Sequence, residues 1–98
     1  MSLISPVQIT EIARNEITET LTANKIPNSY GLRVGMKGSG CGAQFLLGFD
    51  LPATDDQIYW IDGVRIIIDK RHLMYVIGTE IDFEETEAGA GFTVNKRS

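Results

Sequence analysis

The sequence predicts an α+β fold that is mostly β, and three observations predict it. An apolar stripe at helical spacing stands near the amino terminus, alternating apolar residues recur through the remainder, and turn-forming dipeptides separate them. A length of 98 residues allows one compact domain, spanning residues 1–98, with a hydrophobic core of its own. The 43% hydrophobic content is that of a folded chain.

The elements follow in order. Ser5 can cap a helix, Pro6 suits its first position and Gln8 completes a capping box, so the helix is expected to begin there. Ile9, Ile12, Ala13, Ile17 and Leu21 form its apolar face, Asn24 and Lys25 suit its end, and Pro27-Asn28-Ser29 makes a turn. From Leu32 the period changes to two: Leu32, Val34 and Met36 alternate with Arg33 and Lys37. Phe45, Leu47, Phe49 and Leu51 alternate in a second strand. Ile58-Tyr59-Trp60-Ile61 and Val64-Arg65-Ile66-Ile67-Ile68 flank Asp62-Gly63, the strongest short-range hairpin signal, because both positions tolerate positive φ. Trp60 is expected in the core. Asp69 can cap a short inserted helix over residues 70–77, closed by Gly78. Ile81 and Phe83 alternate with acidic residues in the next strand, Gly89-Ala90-Gly91 reads as a loop, and Phe92 and Val94 mark a last short strand.

Composition removes several functions. Nine basic against thirteen acidic residues give a net charge of -4, the basic ones are scattered, and residues 79–87 are acidic. Phosphate contacts supply most nucleic-acid affinity, so nucleic acid is not an expected partner. No apolar run approaches the roughly 20 residues of a membrane-spanning helix, so no membrane partner is expected. Residues 1–6 lack the basic start and apolar run of a signal peptide, and a lone cysteine makes no intrachain disulfide. The expected location is cytoplasmic.

The most unusual segment is Gly38-Ser39-Gly40-Cys41-Gly42-Ala43. Gly40 and Gly42 free the backbone around Cys41 and leave its thiol accessible to a ligand or a second chain. A bulged hairpin turn that merely happens to hold a cysteine fits the same residues. The segment also fits G-x-G-x-x-G/A, but a dinucleotide site needs a helix next, and Gln44-Phe45-Leu46-Leu47 alternates like a strand. A nucleophilic pair with His72, the only histidine, would need a third orienting group that spacing does not supply; His72 reads as part of a solvated helix face. As a metal ligand Cys41 provides one of the usual four or so donors, and two copies meeting at this turn would provide two.

The run Gly31-Leu32-Arg33-Val34-Gly35-Met36-Lys37-Gly38-Ser39-Gly40-Cys41-Gly42 resembles the central signature of the HesB-like, A-type iron–sulfur carrier family. Phe49-Asp50, Gly63-Val64, Asp69-Lys70, Gly78-Thr79-Glu80-Ile81-Asp82-Phe83 and Ala90-Gly91-Phe92-Thr93-Val94-Asn95 follow in that family's order. The resemblance covers nearly the whole chain. It implies a mixed-sheet pseudobarrel with an N-terminal helix and one short inserted helix. It also implies a homodimer or higher homo-oligomer that holds iron or an iron–sulfur cluster between protomers and passes it to recipient apoproteins. Cys41 matches the family's central cysteine, which makes it the expected metal ligand, with Gly40 and Gly42 beside it at the cofactor. The family's Cys-x-Cys pair would stand after Asn95-Lys96-Arg97-Ser98, where this sequence ends, and Phe45 stands at a usual tyrosine.

Two functions follow as expectations. The first is a divergent, non-enzymatic iron–sulfur assembly or carrier protein, with further ligands from a small thiol, an assembly partner, or acidic residues such as Glu84 and Glu87. The second is a cluster-free interaction module that keeps the fold for protein–protein contact.

Overall fold

The computed structural model of the chain describes residues 5–37 and 44–96. Its elements run β1 (Val7–Ile9), α1 (Glu11–Ala23), β2 (Gly31–Lys37), β3 (Gln44–Asp50), β4 (Asp56–Ile61), β5 (Val64–Asp69), α2 (Leu73–Val76), β6 (Thr79–Thr86) and β7 (Gly89–Lys96). They form two mixed sheets. One has the order β1-β6-β7, with β1 parallel to β6; the other has the order β3-β2-β5-β4, with β2 parallel to β5. One hydrophobic cluster joins them: Val7 and Ile81 from the first sheet, Leu32, Val34, Ile66 and Ile68 from the second, and Ala13 and Ile17 from α1. The mostly-β architecture with a leading and an inserted helix is the one the sequence predicts.

The amino-terminal boundary differs. Residues 7–9 form a strand, not the first turn of the helix, because Val7 is fully buried and pairs with Thr79 while Ile9 pairs with Ile81. Helix α1 is capped instead by Thr10, whose Oγ1 accepts from the Ala13 amide at 3.1 Å and donates to Asp82 Oδ1 at 2.8 Å. With the helix starting at Glu11, Ala13 and Ile17 face the core and Ile12 is left 60% exposed. At its far end Lys25 adopts φ 52°, the Ile26 amide bonds the Leu21 carbonyl and the Lys25 amide bonds the Thr22 carbonyl. That is a Schellman closure at the predicted end.

The Asp62-Gly63 hairpin forms as expected, with φ 50° and 83° at its two turn positions. Trp60, however, is 65% exposed. Tyr59 pairs with Ile66 and Ile61 with Val64, so the β4 residues aligned with the core-facing side of β5 are Tyr59 and Ile61. Alternation then sends Ile58 and Trp60 outward, where the Arg65 guanidinium sits 4.9 Å from the Trp60 ring. Leu51 also departs from expectation: it lies beyond β3 and is exposed.

The inserted helix is a single turn, Leu73–Val76, rather than residues 70–77. The Asp69 carboxylate accepts from the Arg71 amide and guanidinium, and that turn delays the helix until after His72. Residues 89–91 are strand and not loop: β6 and β7 pair from Thr79↔Lys96 to Thr86↔Gly89, with Gly89 at φ 123° closing the turn. Phe83 and Phe92 meet edge-on across this pair, with centroids 5.0 Å apart.

Candidate functional site

Cys41, Gly40 and Gly42 lie outside the described residues. What the structure places is the pair of strand ends on either side of them. β2 and β3 are antiparallel in unbroken register from Gly31↔Asp50 to Lys37↔Gln44, so residues 38–43 connect two directly opposed positions. The alternating residues after the turn, Phe45, Leu47 and Phe49, pack against the core as a strand. A strand here also disposes of the dinucleotide reading, which needs a helix.

Gln44, Phe45 and Leu47 of β3 and Phe92 and Val94 of β7 line one cleft. The carboxylates expected as accessory ligands stand elsewhere on that hairpin. Glu84 is opposite Gly91 and Glu87 is in the turn that follows β6, and both are exposed. Among the described residues no three His, Cys, Asp or Glu side chains are grouped so as to hold a metal ion.

On the outer face of the four-stranded sheet lies a groove of about 370 Å3, bordered by Arg33, Gly35, Leu46, Gly48, Asp50 and His72. At one end Arg33 is held by three charged bonds. Its Nε donates to Asp50 Oδ2, its Nη1 to Asp56 Oδ1 and its Nη2 to Asp56 Oδ2, each at 2.8 Å. The Asp56 side chain is 2% exposed and also accepts from the Ala53 amide. Arg33 first, and the Ala53 amide after it, hold the Asp56 carboxyl below the usual carboxylate range. The Leu51 amide, then Arg33, does the same for Asp50, and the fork to Asp56 keeps Arg33 firmly protonated.

At the other end His72 is half-buried, not on a solvated helix face. Its ring lies over Gly35, and its Nδ1 accepts from the Met36 amide at 3.4 Å. A Cβ on Gly35 would stand 3.0 Å from that nitrogen, so the close approach depends on glycine. Neither the Arg33 fork nor the His72–Met36 bond is visible in spacing, because their partners come from different strands 17 to 36 positions apart. The one available clue was Arg33, placed by alternation on the outward face of its strand with Lys37.

The fold is one that comparison identifies. The backbone superposes on the crystal structure of Escherichia coli SufA, involved in biosynthesis of iron–sulfur clusters, with a TM-score of 0.76 at 24% identity, covering 97% of this chain and 89% of that one. Residues 6–97 match the family described as iron–sulphur cluster biosynthesis. The iron–sulfur cluster insertion protein ErpA of Francisella tularensis subsp. novicida is 32% identical over 93 residues, 93% of this chain and 79% of that one. The iron-binding protein IscA of Enterobacter is 43% identical over 65 residues, 64% of this chain and 61% of that one. The chain belongs to the iron–sulphur cluster biosynthesis family.

Proposed function

We propose that this protein is a divergent iron–sulfur cluster assembly or carrier protein, and that Cys41 is the principal ligand for its cargo, iron or a cluster. The observation that carries the reading is the position of the only thiol in the 98 residues, in a glycine-flanked segment joining the paired ends Lys37 and Gln44. A thiolate is the donor that iron–sulfur clusters require, and family membership supports the same chemistry. One thiolate supplies a single donor of about four, so the proposed arrangement shares the cargo between two protomers, each contributing Cys41. A small thiol or an assembly partner completes the set. The exposed Glu84 and Glu87 remain available to a second copy.

The role is transfer to recipient apoproteins, without catalysis, by one domain in the cytoplasm. None of the described helices is long and apolar enough to cross a membrane. The alternative, a cluster-free interaction module, draws on the exposed Ile58 and Trp60 of edge strand β4. Anaerobic reconstitution with ferrous iron and sulfide, in the presence of thiol, separates the two. Wild type develops visible charge-transfer absorption and Cys41→Ala does not; equally empty or equally coloured spectra would remove Cys41 from the ligand set.

A further inference from the structure

Strand β4 is the last strand of the four-stranded sheet, paired with β5 on one side, and among the described residues no strand pairs with its other side. Two backbone bonds fix which of its groups face that open side. The Lys70 amide bonds the Asp55 carbonyl, so Asp55 faces β5, while the Asp56 amide bonds the Ala53 carbonyl, away from β5. Antiparallel pairing alternates these directions residue by residue, so Ile58 and Trp60 turn their N–H and C=O groups outward. Their side chains are exposed as well, at 46% and 65%, and no other described strand carries two large exposed apolar residues. Trp60 is held in place from β5: the Arg65 guanidinium lies 4.9 Å from its ring and bonds the Ser29 carbonyl at 2.8 Å. From Gln57 to Ile61 the edge has no charged residue and no proline, the devices that keep an edge from pairing.

We propose that β4 is a self-pairing edge whose occupant is β4 of a second copy, antiparallel and centred on Tyr59. The residues of the edge select both this partner and this register. About Tyr59, Ile58 stands opposite the partner's Trp60 and Trp60 opposite the partner's Ile58, and each pair exchanges both backbone bonds. A two-fold axis repeats the contact, so the two exposed residues of one copy cover those of the other. Tyr59, packed against the core, meets its own copy on the opposite face. Centring on Gln57 would set Ile58 against Asp56, and centring on Ile61 would set Trp60 against Asp62. A slip of a single residue would oppose the outward groups to groups already bonded to β5. In the proposed register the acidic flanks meet as Asp62 beside the partner's Asp56, a carboxylate that Arg33 already holds. β3, whose end at Gln44 borders the Cys41 segment, is the opposite edge of the sheet. The pairing therefore does not use the cargo site, and it stands or falls without the cargo reading.

The experiment uses the metal-free full chain in reductant, by sedimentation equilibrium up to about 1 mM. The emission of Trp60, the only tryptophan, is followed over the same concentrations. Wild type forms dimers, and its emission moves to shorter wavelength with the same midpoint as the ring is covered. Ile58→Pro removes an outward N–H that β5 does not use, and Ile58→Glu sets a charge against the partner's Trp60. Each weakens the dimer roughly tenfold or more, while Met74→Glu, at a still more exposed position on α2, leaves it unchanged. A wild type that stays monomeric with constant Trp60 emission overturns the proposal, and that result needs no variant to fold. Dimers that form as tightly in both Ile58 variants overturn β4 as the interface. Emission that shifts only when a different protein is added assigns the edge to that protein and overturns self-pairing.

Discussion

The two ends of the groove on the four-stranded sheet are held by opposite kinds of chemistry. At the Arg33 end a guanidinium fork meets two carboxylates through bonds of 2.8 Å, with one of those carboxylates almost wholly buried. At the His72 end one ring nitrogen accepts one amide at 3.4 Å. β2 and β3 run through both, Gly31↔Asp50 at the first and Lys37↔Gln44 at the second. Charge-assisted, bidentate bonds fix geometry; a single long bond is readily given up. The cysteine-bearing segment departs from the end that is easier to loosen.

The comparison breaks most severely at Asp56. Replacing Asp56 by Ala leaves Arg33 with the exposed Asp50 and the Leu51 carbonyl, and the Ala53 amide without its acceptor. Because Arg33 stays 28% exposed, the cost falls below that of a fully buried pair, about 2–3 kcal/mol, read as a lower chemical-denaturation midpoint. A variant as stable as wild type would mean that the fork does not fix this end.

Acid probes the Arg33 end. The carboxyls of Asp56 and Asp50 titrate below the usual carboxylate range in the folded chain, so the stability they contribute is complete above about pH 4. It is lost as pH falls through their lowered folded values. A stability profile that declines only below about pH 4 is the outcome expected of the Arg33 end. Loss of the Arg33 contacts at pH 5 or above would contradict the assignment.

The smallest effect is expected at Gly35. Gly35→Ala places a methyl 3.0 Å from His72 Nδ1, and the half-buried ring gives way by a few tenths of an ångström. The cost is about 1 kcal/mol or less, with Met36 exchange accelerated and the Arg33 end unchanged. Equal acceleration at both ends would mean that they are not separable.

The regions legible in the sequence are those where a local signal and the tertiary fold agree. Alternation in residues 32–37 and 45–49, the Asp62-Gly63 turn and the Asn24-Lys25 helix end all emerge as expected. The sequence misleads where two signals compete. Ser5-Pro6-Val7-Gln8 satisfies every rule for a helix start, yet burial of Val7 beside Thr79 makes it a strand, and only the position of β6 decides that. Trp60 is apolar enough for the core, but the hairpin register puts Tyr59 and Ile61 there instead. Gly89 and Gly91 look like loop residues until β6 pairs with them in register. For the site, chain order singled out Cys41, while the contacts at the two ends of the groove, Arg33 with Asp56 and His72 with Met36, join residues that no periodicity connects.

The central claim, that Cys41 is the ligand through which this chain holds its cargo, is tested most directly by native mass spectrometry. Wild type and Cys41→Ala are reconstituted anaerobically with ferrous iron, sulfide and thiol, then compared. The account predicts a wild-type dimer carrying iron and sulfide that is missing from the variant, while the variant's metal-free spectrum matches that of wild type. A variant loaded to the same extent as wild type would contradict it.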